Sequence, residues 1–282
     1  MSRPLRLHAP GYLHHLFARG NNKGQIFHDN RDCESFLELL AKALKRFGAD
    51  CAGYCLLDTH YHLLLVPHEH PISRVMHQLN STYCQRFNRR HQRVGHVLQG
   101  RFGYKIVEDG EYARSALRYV ALNPVAAGLA PVCEAWPWSS YRAAMGLDRA
   151  PDFLALQYAW SAFGTSEPEV GRARFAAFIR AGSQEIFDDT LLHGSAAFAA
   201  EFTSHLERHH SNWDFVYAHR FSARITLGAL FDGRMSTCRL EDAAHAAFHQ
   251  HGYTLAEIGR VVSRNPSTVC RWIQRAASRQ SG

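Results

Sequence analysis

The sequence lacks the features that mark several common classes of protein. Its seven cysteines are odd in number and form no CxxC pair, so it predicts neither a disulfide framework nor a zinc ribbon. No run reaches the roughly 18 apolar residues of a membrane span, and the N-terminus has no unbroken apolar core. We therefore expect a cytoplasmic protein with reduced thiols and no membrane partner.

Acidic residues are missing from one long stretch, residues 71–105, although the whole chain is only moderately basic. Lys and Arg outnumber Asp and Glu by 32 to 25, and the net charge of +7 favours polyanionic partners such as nucleic acid. A solvated helix face over core aromatics would explain the interleaved aromatic residues of 71–105, but not the missing acids. The stretch therefore predicts a DNA phosphate track with base-stacking platforms. Its basic residues are Arg74, Arg86, Arg89, Arg90, Arg93, Arg101 and Lys105, and its aromatic residues include Tyr83, Phe87, Phe102 and Tyr104.

Apolar spacing predicts seven elements in the first half of the chain. The predicted strands are 12–19, 50–57, 61–66 and 102–107, and the predicted helices are 33–47, 74–90 and 111–123. Asp32 and Ser73 are expected to cap the first two helices, and Pro124 is expected to end the third. The order β-α-β-β-α-β-α predicts an α+β fold, with a ferredoxin-like antiparallel sheet, two helices on one face and an extra helix.

The chain length of 282 residues allows more than one folded unit. We predict a first domain over 1–148, a helical connecting region without a readable motif over 149–235, and a helix-turn-helix domain over 236–282. In the last domain two short apolar-spaced helices flank a tight turn, which is the spacing of DNA-binding helix-turn-helix motifs. A generic helical hairpin is the alternative. The residues expected to contact DNA there are Arg264, Arg271 and Arg275.

Two histidines, His60 and His62, stand one residue apart on the third predicted strand. Side chains alternate faces along a strand, so both imidazoles should lie on the same face. Among 19 histidines such a pair also arises by chance, and the pair alone does not establish a site. A second pair, His68 and His70, follows Pro67 and is predicted to lie in a surface loop.

The segment RYVALNP, residues 118–124, places Tyr119 and Asn123 on one face of a helix, one turn apart. A tyrosine phenol is a weak nucleophile unless a metal or base lies nearby. An amide oxygen is a plausible hard ligand for such a metal. Spacing alone leaves two alternatives open: Tyr112, two turns earlier, is a rival nucleophile, and the segment can equally be a core tyrosine before a helix end.

Taken in order, these motifs resemble the REP-associated tyrosine transposases, a branch of the single-tyrosine HUH transposases. The resemblance covers about the first 145 residues, and its ordered set is more specific than any single motif. The matching motifs are RGNN, IF, HYHLLL, LNSTYCQRFNRR, GHVLQGRF, RYVALNPVAAGL and WPWSSYR. The later LLHGSAAF and the helix-turn-helix are similar to the tail of many members, which resembles the DNA-binding domain of the bacterial replication initiator.

The resemblance implies a catalytic domain with the HUH fold and a role for each matching residue. His60 and His62 match the HUH metal ligands, Tyr119 matches the nucleophile in preference to Tyr112, and Asn123 stands where relatives have an amide-bearing ligand. Two departures are visible. Relatives commonly have Met-Pro-Asn where this chain has Leu57-Asp58-Thr59, and an aliphatic residue where it has Tyr61. Neither departure removes a ligand.

The implied activity is that of a metal-dependent transposase that cleaves and rejoins single-stranded DNA. A divalent cation, Mg or Mn, would polarise the scissile phosphate, and Tyr119 would form a 5′-phosphotyrosine link. Exchange of phosphodiesters needs no ATP, in keeping with the absence of a GxxxxGK loop. The expected partner is a REP-like hairpin, with duplex DNA as a partner for the C-terminal domain, and the protein acts as a monomer or homodimer.

Two other functions remain open on the sequence alone. A domesticated protein could bind DNA through its helix-turn-helix with a vestigial nuclease site. A metal-dependent nuclease could use water as the nucleophile, with Tyr119 packed in the core.

Overall fold

The computed structural model describes residues 9–182, 191–209, 226–231, 235–249, 251, 253 and 255–280. They belong to two compact units, which divide between Ser195 and Ala196. The first contains a mixed sheet with helices on both faces, and the second consists of helices. Within the described residues, no helix is both long and apolar enough to cross a membrane.

The sheet of the first unit has five strands in the order β2-β3-β1-β4-β5. The first four strands pair antiparallel, which confirms the ferredoxin-like arrangement expected from the element order. The two-residue strand β5 pairs parallel to β4 at the sheet edge and was not predicted. The strands are β1 Leu13–Arg19, β2 Ala49–Leu57, β3 His60–Pro67, β4 Gly103–Val107 and β5 Leu192–His193.

Two helices, α1 Asn30–Phe47 and α2 Ile72–Arg90, cover one face of this sheet. The apolar faces of both helices join alternate strand residues such as Leu63 in one core. The predicted caps are wrong in detail. Asp29 caps α1 and Pro71 precedes α2, while Asp32 lies buried inside the first turn of α1.

The opposite face of the sheet is covered by α3, Glu111–Ala126, and we call it the α3 face. The prediction that Pro124 ends this helix is wrong, because Pro124 lies inside its last turn. Pro124 has no backbone N–H to donate. The Ala127 N–H donates to the Asn123 carbonyl at 2.9 Å and closes the turn that contains the proline. Asn123 therefore keeps helical geometry and stays above the sheet.

Three further helices continue the first unit: α4 Ser140–Ala144, α5 Gln157–Ala162 and α6 Pro168–Arg180. Trp160 of α5 and Phe175 of α6 are buried against α3 and Tyr141. The predicted connecting region, 149–235, is thus shared between the two units, and its assignment as a separate region stays a prediction.

The second unit contains α7 Ala196–His209, α8 Leu227–Leu230, α9 Thr237–His249, α10 Leu255–Val261 and α11 Pro266–Gln280. The last two are the helices expected for a helix-turn-helix. Ser263, in the turn between them, has a positive φ of 52°. Ile258, Val269 and Trp272 form the core that joins the two helices. The turn is tight because the Arg264 carbonyl approaches Gly259 so closely that a Cβ there would lie 2.5 Å from the oxygen.

Candidate active site

The α3 face carries three imidazoles from two neighbouring strands. His60 and His62 lie on β3, and strand alternation gives both the same face, as predicted. Their ring centroids are 5.2 Å apart. The register pairs Arg19 with His60 and Phe17 with His62, so His15 on β1 also points to this face.

Helix α3 places a phenol and an amide above these imidazoles. The Tyr119 ring meets the His62 ring edge-on at a centroid distance of 5.4 Å. Asn123 lies one turn later, near enough to His60 to raise the pKa of its imidazole, and donates from its Nδ2 to the Tyr119 carbonyl oxygen at 3.2 Å. The four residues singled out in the sequence therefore converge on one place, although they come from elements about 60 residues apart.

Tyr112, the rival nucleophile, lies elsewhere on α3. Its ring contacts His193 of β5 edge-on, with the ring centroids 5.1 Å apart. Two helical turns separate it from Tyr119, and the Tyr119 ring meets both His62 and His15, the latter at 5.6 Å. Geometry thus favours Tyr119 for chemistry at the His60 and His62 pair.

Burial holds all three imidazoles in their neutral form. Desolvation lowers the pKa of His60, Arg19 lowers it further, and the hydrogen bond with Asn123 offsets part of the change. Desolvation, with His15 and His60 close by, puts the pKa of His62 well below its ordinary value. Burial lowers the pKa of His15 to about 3, helped by Lys105 and His193. Neutral imidazoles have a lone pair for a metal ion at physiological pH.

The side chains of His60, His62 and Asn123 fit a divalent cation. Their donor atoms are two imidazole nitrogens and an amide oxygen, and Asn123 is near enough to His60 to influence the pKa of its imidazole. An amide oxygen is a hard ligand, which favours Mg or Mn over softer metal ions. Cys55 pairs with His62 across β2 and β3, but it is fully buried and its pKa is raised by desolvation, so it stays a thiol.

Sequence reasoning missed His15. Its Nε2 lies 2.9 Å from Nδ1 of His62, and both residues are buried. The local sequence gave no signal for this contact, since it depends on the pairing of β1 with β3 and on the register of that pairing.

The basic residues of the stretch 71–105 differ in whether they form ion pairs with acidic residues elsewhere in the chain. Arg86 forms an ion pair with Glu38, and Arg90 pairs with Asp29 and Asp32. The acids missing from 71–105 are thus supplied in part by α1. Among the described residues, Arg74, Arg89 and Arg93 are exposed and form no ion pair, and Arg101 is exposed as well.

Lys105 does not lie on this exposed surface. It is only 7% exposed and stands opposite His15 in the register of β1 and β4, on the α3 face. The predicted stacking platforms are also wrong for Tyr83, Phe87 and Phe102, which are all buried. Their rings fill the core of the first unit or its border, so DNA bases have no access to them in this arrangement.

A cluster of possible metal ligands, His28, Asp32 and His91, lies away from this site. Asp32 begins α1 and His91 follows α2, on the side of the sheet opposite the α3 face. The Asp32 carboxylate already accepts hydrogen bonds from Arg90, from His91 at 2.9 Å and from the His28 backbone N–H. The cluster therefore joins the start of α1 to the end of α2.

In the second unit, the predicted DNA-contacting arginines differ in their surroundings. Arg264 and Arg271 are exposed, and each bonds to a nearby residue of its own segment. Arg275 instead forms an ion pair with Glu241 of α9, with 2.9 Å between Nε and Oε1. Arg279 pairs with the same carboxylate, so these two residues link α11 to α9.

Part of the chain matches a known protein family. Residues 10–122 match the family model described as "Transposase IS200 like". This segment is similar to an IS200-like transposase domain. The matched part of the domain runs from β1 through Tyr119 and includes both histidines of β3, and it stops one residue before Asn123.

A solved structure of a REP-associated tyrosine transposase bound to a REP hairpin is similar to this chain, with 17% sequence identity and a TM-score of 0.45. The similarity covers 55% of this chain and 92% of that chain. No curated protein matches the sequence.

Proposed function

We propose that the protein is a REP-type tyrosine transposase, a single-stranded DNA endonuclease and strand transferase with Tyr119 as its nucleophile. The observation that carries the proposal is the convergence of Tyr119 with His62, and of Asn123 with His60, on the α3 face of the IS200-like domain. Both pairs join a residue of β3 to a residue of α3 that the sequence singles out for chemistry.

His60, His62 and Asn123 would hold the metal, Mg or Mn. When bound, the cation supplies Lewis-acid polarisation of the scissile phosphate. The chain contributes three neutral donor groups at one place. Burial keeps the imidazoles unprotonated, and the hydrogen bond from Asn123 Nδ2 to the Tyr119 carbonyl fixes the amide nitrogen and leaves the amide oxygen as the ligand atom.

The chemical step is an exchange of phosphodiesters. The Tyr119 phenol loses its proton and its oxygen forms a bond to phosphorus, while the bond from phosphorus to the DNA 3′ oxygen breaks. That oxygen takes up a proton and leaves as a free 3′-hydroxyl, and the DNA 5′ end stays attached to Tyr119. Attack of a 3′-hydroxyl on this phosphotyrosine reverses the step and rejoins a strand.

The exposed arginines of the IS200-like domain suit a phosphate backbone, and REP-like hairpin DNA is the substrate implied by the sequence resemblance. We assign Arg74, Arg89, Arg93 and Arg101 to this contact. Duplex DNA is assigned to Arg264 and Arg271 of the helix-turn-helix. Removal of residues 236–282 should lower the affinity for duplex DNA, and unchanged affinity would reject the role of the second unit.

The nucleophile is tested with labelled single-stranded hairpin DNA, Mn²⁺ or Mg²⁺, and a denaturing gel. We expect a covalent adduct in the wild-type chain and in Tyr112→Phe, and none in Tyr119→Phe. Tyr112 is the matched control because it lies on the same helix and loses the same hydroxyl. Cleavage that survives Tyr119→Phe, or cleavage without an adduct, would point to a nuclease that uses water. Binding without cleavage would point to a domesticated DNA-binding protein.

A further inference from the structure

The two histidines of β3 share a feature that their roles as ligands do not require. In each ring Nδ1 has a polar neighbour within the protein. Nδ1 of His62 lies 2.9 Å from Nε2 of His15, and Nδ1 of His60 lies 3.0 Å from the Thr59 hydroxyl oxygen. In both rings Nε2 is the nitrogen left for an external ligand.

The contact between His15 and His62 constrains one proton. Two neutral imidazoles that meet nitrogen to nitrogen form a hydrogen bond when one nitrogen carries the proton and the other accepts it. If Nδ1 of His62 is the donor, its Nε2 has the lone pair. If His15 is the donor, the proton of His62 sits on Nε2 and blocks coordination. The tautomer of this pair therefore decides whether His62 can bind a cation.

We propose that His15 is a positioning residue, which accepts a hydrogen bond from Nδ1 of His62 and thereby directs the Nε2 lone pair of His62 toward the cation. This inference rests on the proposed function. Thr59 does the corresponding work for His60, from the position next to it in the sequence. Metal-bound histidines usually depend on such partners for their orientation and basicity.

The surroundings of His15 explain why it supports a ligand and is not one itself. Its Nε2 is directed at His62, and its ring is only 2% exposed. Lys105 stands opposite it in the strand register, buried on the same face.

The first measurement reads the proton directly, without a metal. In the metal-free full-length chain with ¹⁵N-labelled histidine, two-bond ¹H–¹⁵N spectra should show His62 with its proton on Nδ1. The same spectra of His15→Phe should show a mixture of tautomers. A wild-type His62 with its proton on Nε2 would overturn the inference.

The second measurement is the affinity for Mn²⁺, followed by electron paramagnetic resonance. His15→Phe keeps the bulk and loses the acceptor, and it should bind Mn²⁺ about 10–100-fold more weakly. His15→Gln restores an acceptor and should remain within a fewfold of wild type. His14→Phe is the matched control, since His14 is equally buried on the same strand but faces the other way. Wild-type affinity in a folded His15→Phe would overturn the inference.

The two failures are distinguishable. A wild-type chain that binds no Mn²⁺, with or without hairpin DNA, would defeat the proposed function, and the spectra of the metal-free chain would still decide the proton position.

If His15→Phe does not fold, His15→Gln and Thr59→Val replace it. Thr59→Val keeps the shape and removes the hydroxyl, so it should weaken Mn²⁺ binding, and a full-affinity Thr59→Val together with a disordered tautomer in the wild type would overturn the inference.

Discussion

At the scale of single residues, Asn123 has two separable contacts. Its Nδ2 donates to the Tyr119 carbonyl within α3, and its side chain also lies near His60 of β3 and raises the pKa of that imidazole. The first contact is a helix contact, and the second is the one that a metal ion would replace. Substitutions that keep or remove the oxygen therefore separate folding from ligation.

Asn123→Asp and Asn123→Ala form a matched pair, because both lose the Nδ2 donor. Each should lose roughly 1 kcal/mol of stability from the missing hydrogen bond. Asn123→Asp keeps an oxygen ligand and should retain Mn²⁺ binding and hairpin cleavage, whereas Asn123→Ala should bind Mn²⁺ about tenfold more weakly. The check is a Mn²⁺ titration beside a thermal melt. Equal Mn²⁺ affinity in the two variants would remove Asn123 from the ligand set.

The residues found from sequence are those whose partners lie within one element. His60 with His62, and Tyr119 with Asn123, follow from the periods of a strand and a helix. His15 and the buried position of Lys105 depend on the register of β1 against its two neighbours, which no local pattern encodes. Residue types and spacing therefore locate half of the site, and strand pairing supplies the rest.

At the scale of elements, α2 presents two adjacent arginines with different surroundings. Arg89 is exposed, while Arg90 bonds to Asp29 and to the buried carboxylate of Asp32 on α1. The acids absent from the α2 sequence are present in space, because α1 packs against α2. Charge pattern along the chain thus overestimates how much of a helix is available for DNA.

Arg89→Gln and Arg90→Gln test this difference. Arg89→Gln should reduce the slope of log K against log salt for single-stranded hairpin DNA by about 0.7 and leave the melting temperature unchanged. Arg90→Gln should lower the melting temperature by a few degrees, because Asp32 loses a charged partner, and should leave the slope unchanged. The two readouts are a salt series of binding measurements and a thermal melt. The reverse pattern would place Arg90 in the DNA contact.

The turn between α10 and α11 depends on a residue without a side chain. A Cβ at Gly259 would lie 2.5 Å from the Arg264 carbonyl oxygen, so Gly259→Ala must displace the backbone of the turn. We expect it to destabilise the second unit by about 1–3 kcal/mol. Hydrogen exchange of peptides from 255–280 should become faster, and duplex affinity should fall.

Gly228→Ala is the control for this change, because a Cβ there meets nothing within 4 Å. It lies in α8 of the same unit and should be neutral or slightly stabilising, since Ala favours a helix. Unchanged exchange in Gly259→Ala would mean that the turn adapts without cost.

At the scale of the whole molecule, the sheet of the first unit was predictable and its outer limit was not. The four antiparallel strands follow from apolar runs and turns, whereas α5 and α6 lie in a part of the sequence without a readable motif, and the LLHGSAAF segment did not predict β5. Trp160, Phe163 and Phe175 nevertheless belong to the core beneath α3, and β5 extends the sheet beside β4. A core can thus continue past the last motif, because burial needs apolar side chains and not a signature.

Two truncated chains test where the first unit ends. A chain ending at Ser195 keeps the whole compact unit and should melt cooperatively and cleave hairpin DNA. A chain ending at residue 148, the domain limit predicted from sequence, loses Trp160 and Phe175, which are 4% and 2% exposed. Loss of a buried large aromatic typically costs about 3–5 kcal/mol, and two such losses rival the roughly 5–15 kcal/mol that stabilises a domain. We expect this shorter chain to lack a cooperative melt and to aggregate, and a melting temperature within a few degrees of the longer chain would restore the limit at residue 148.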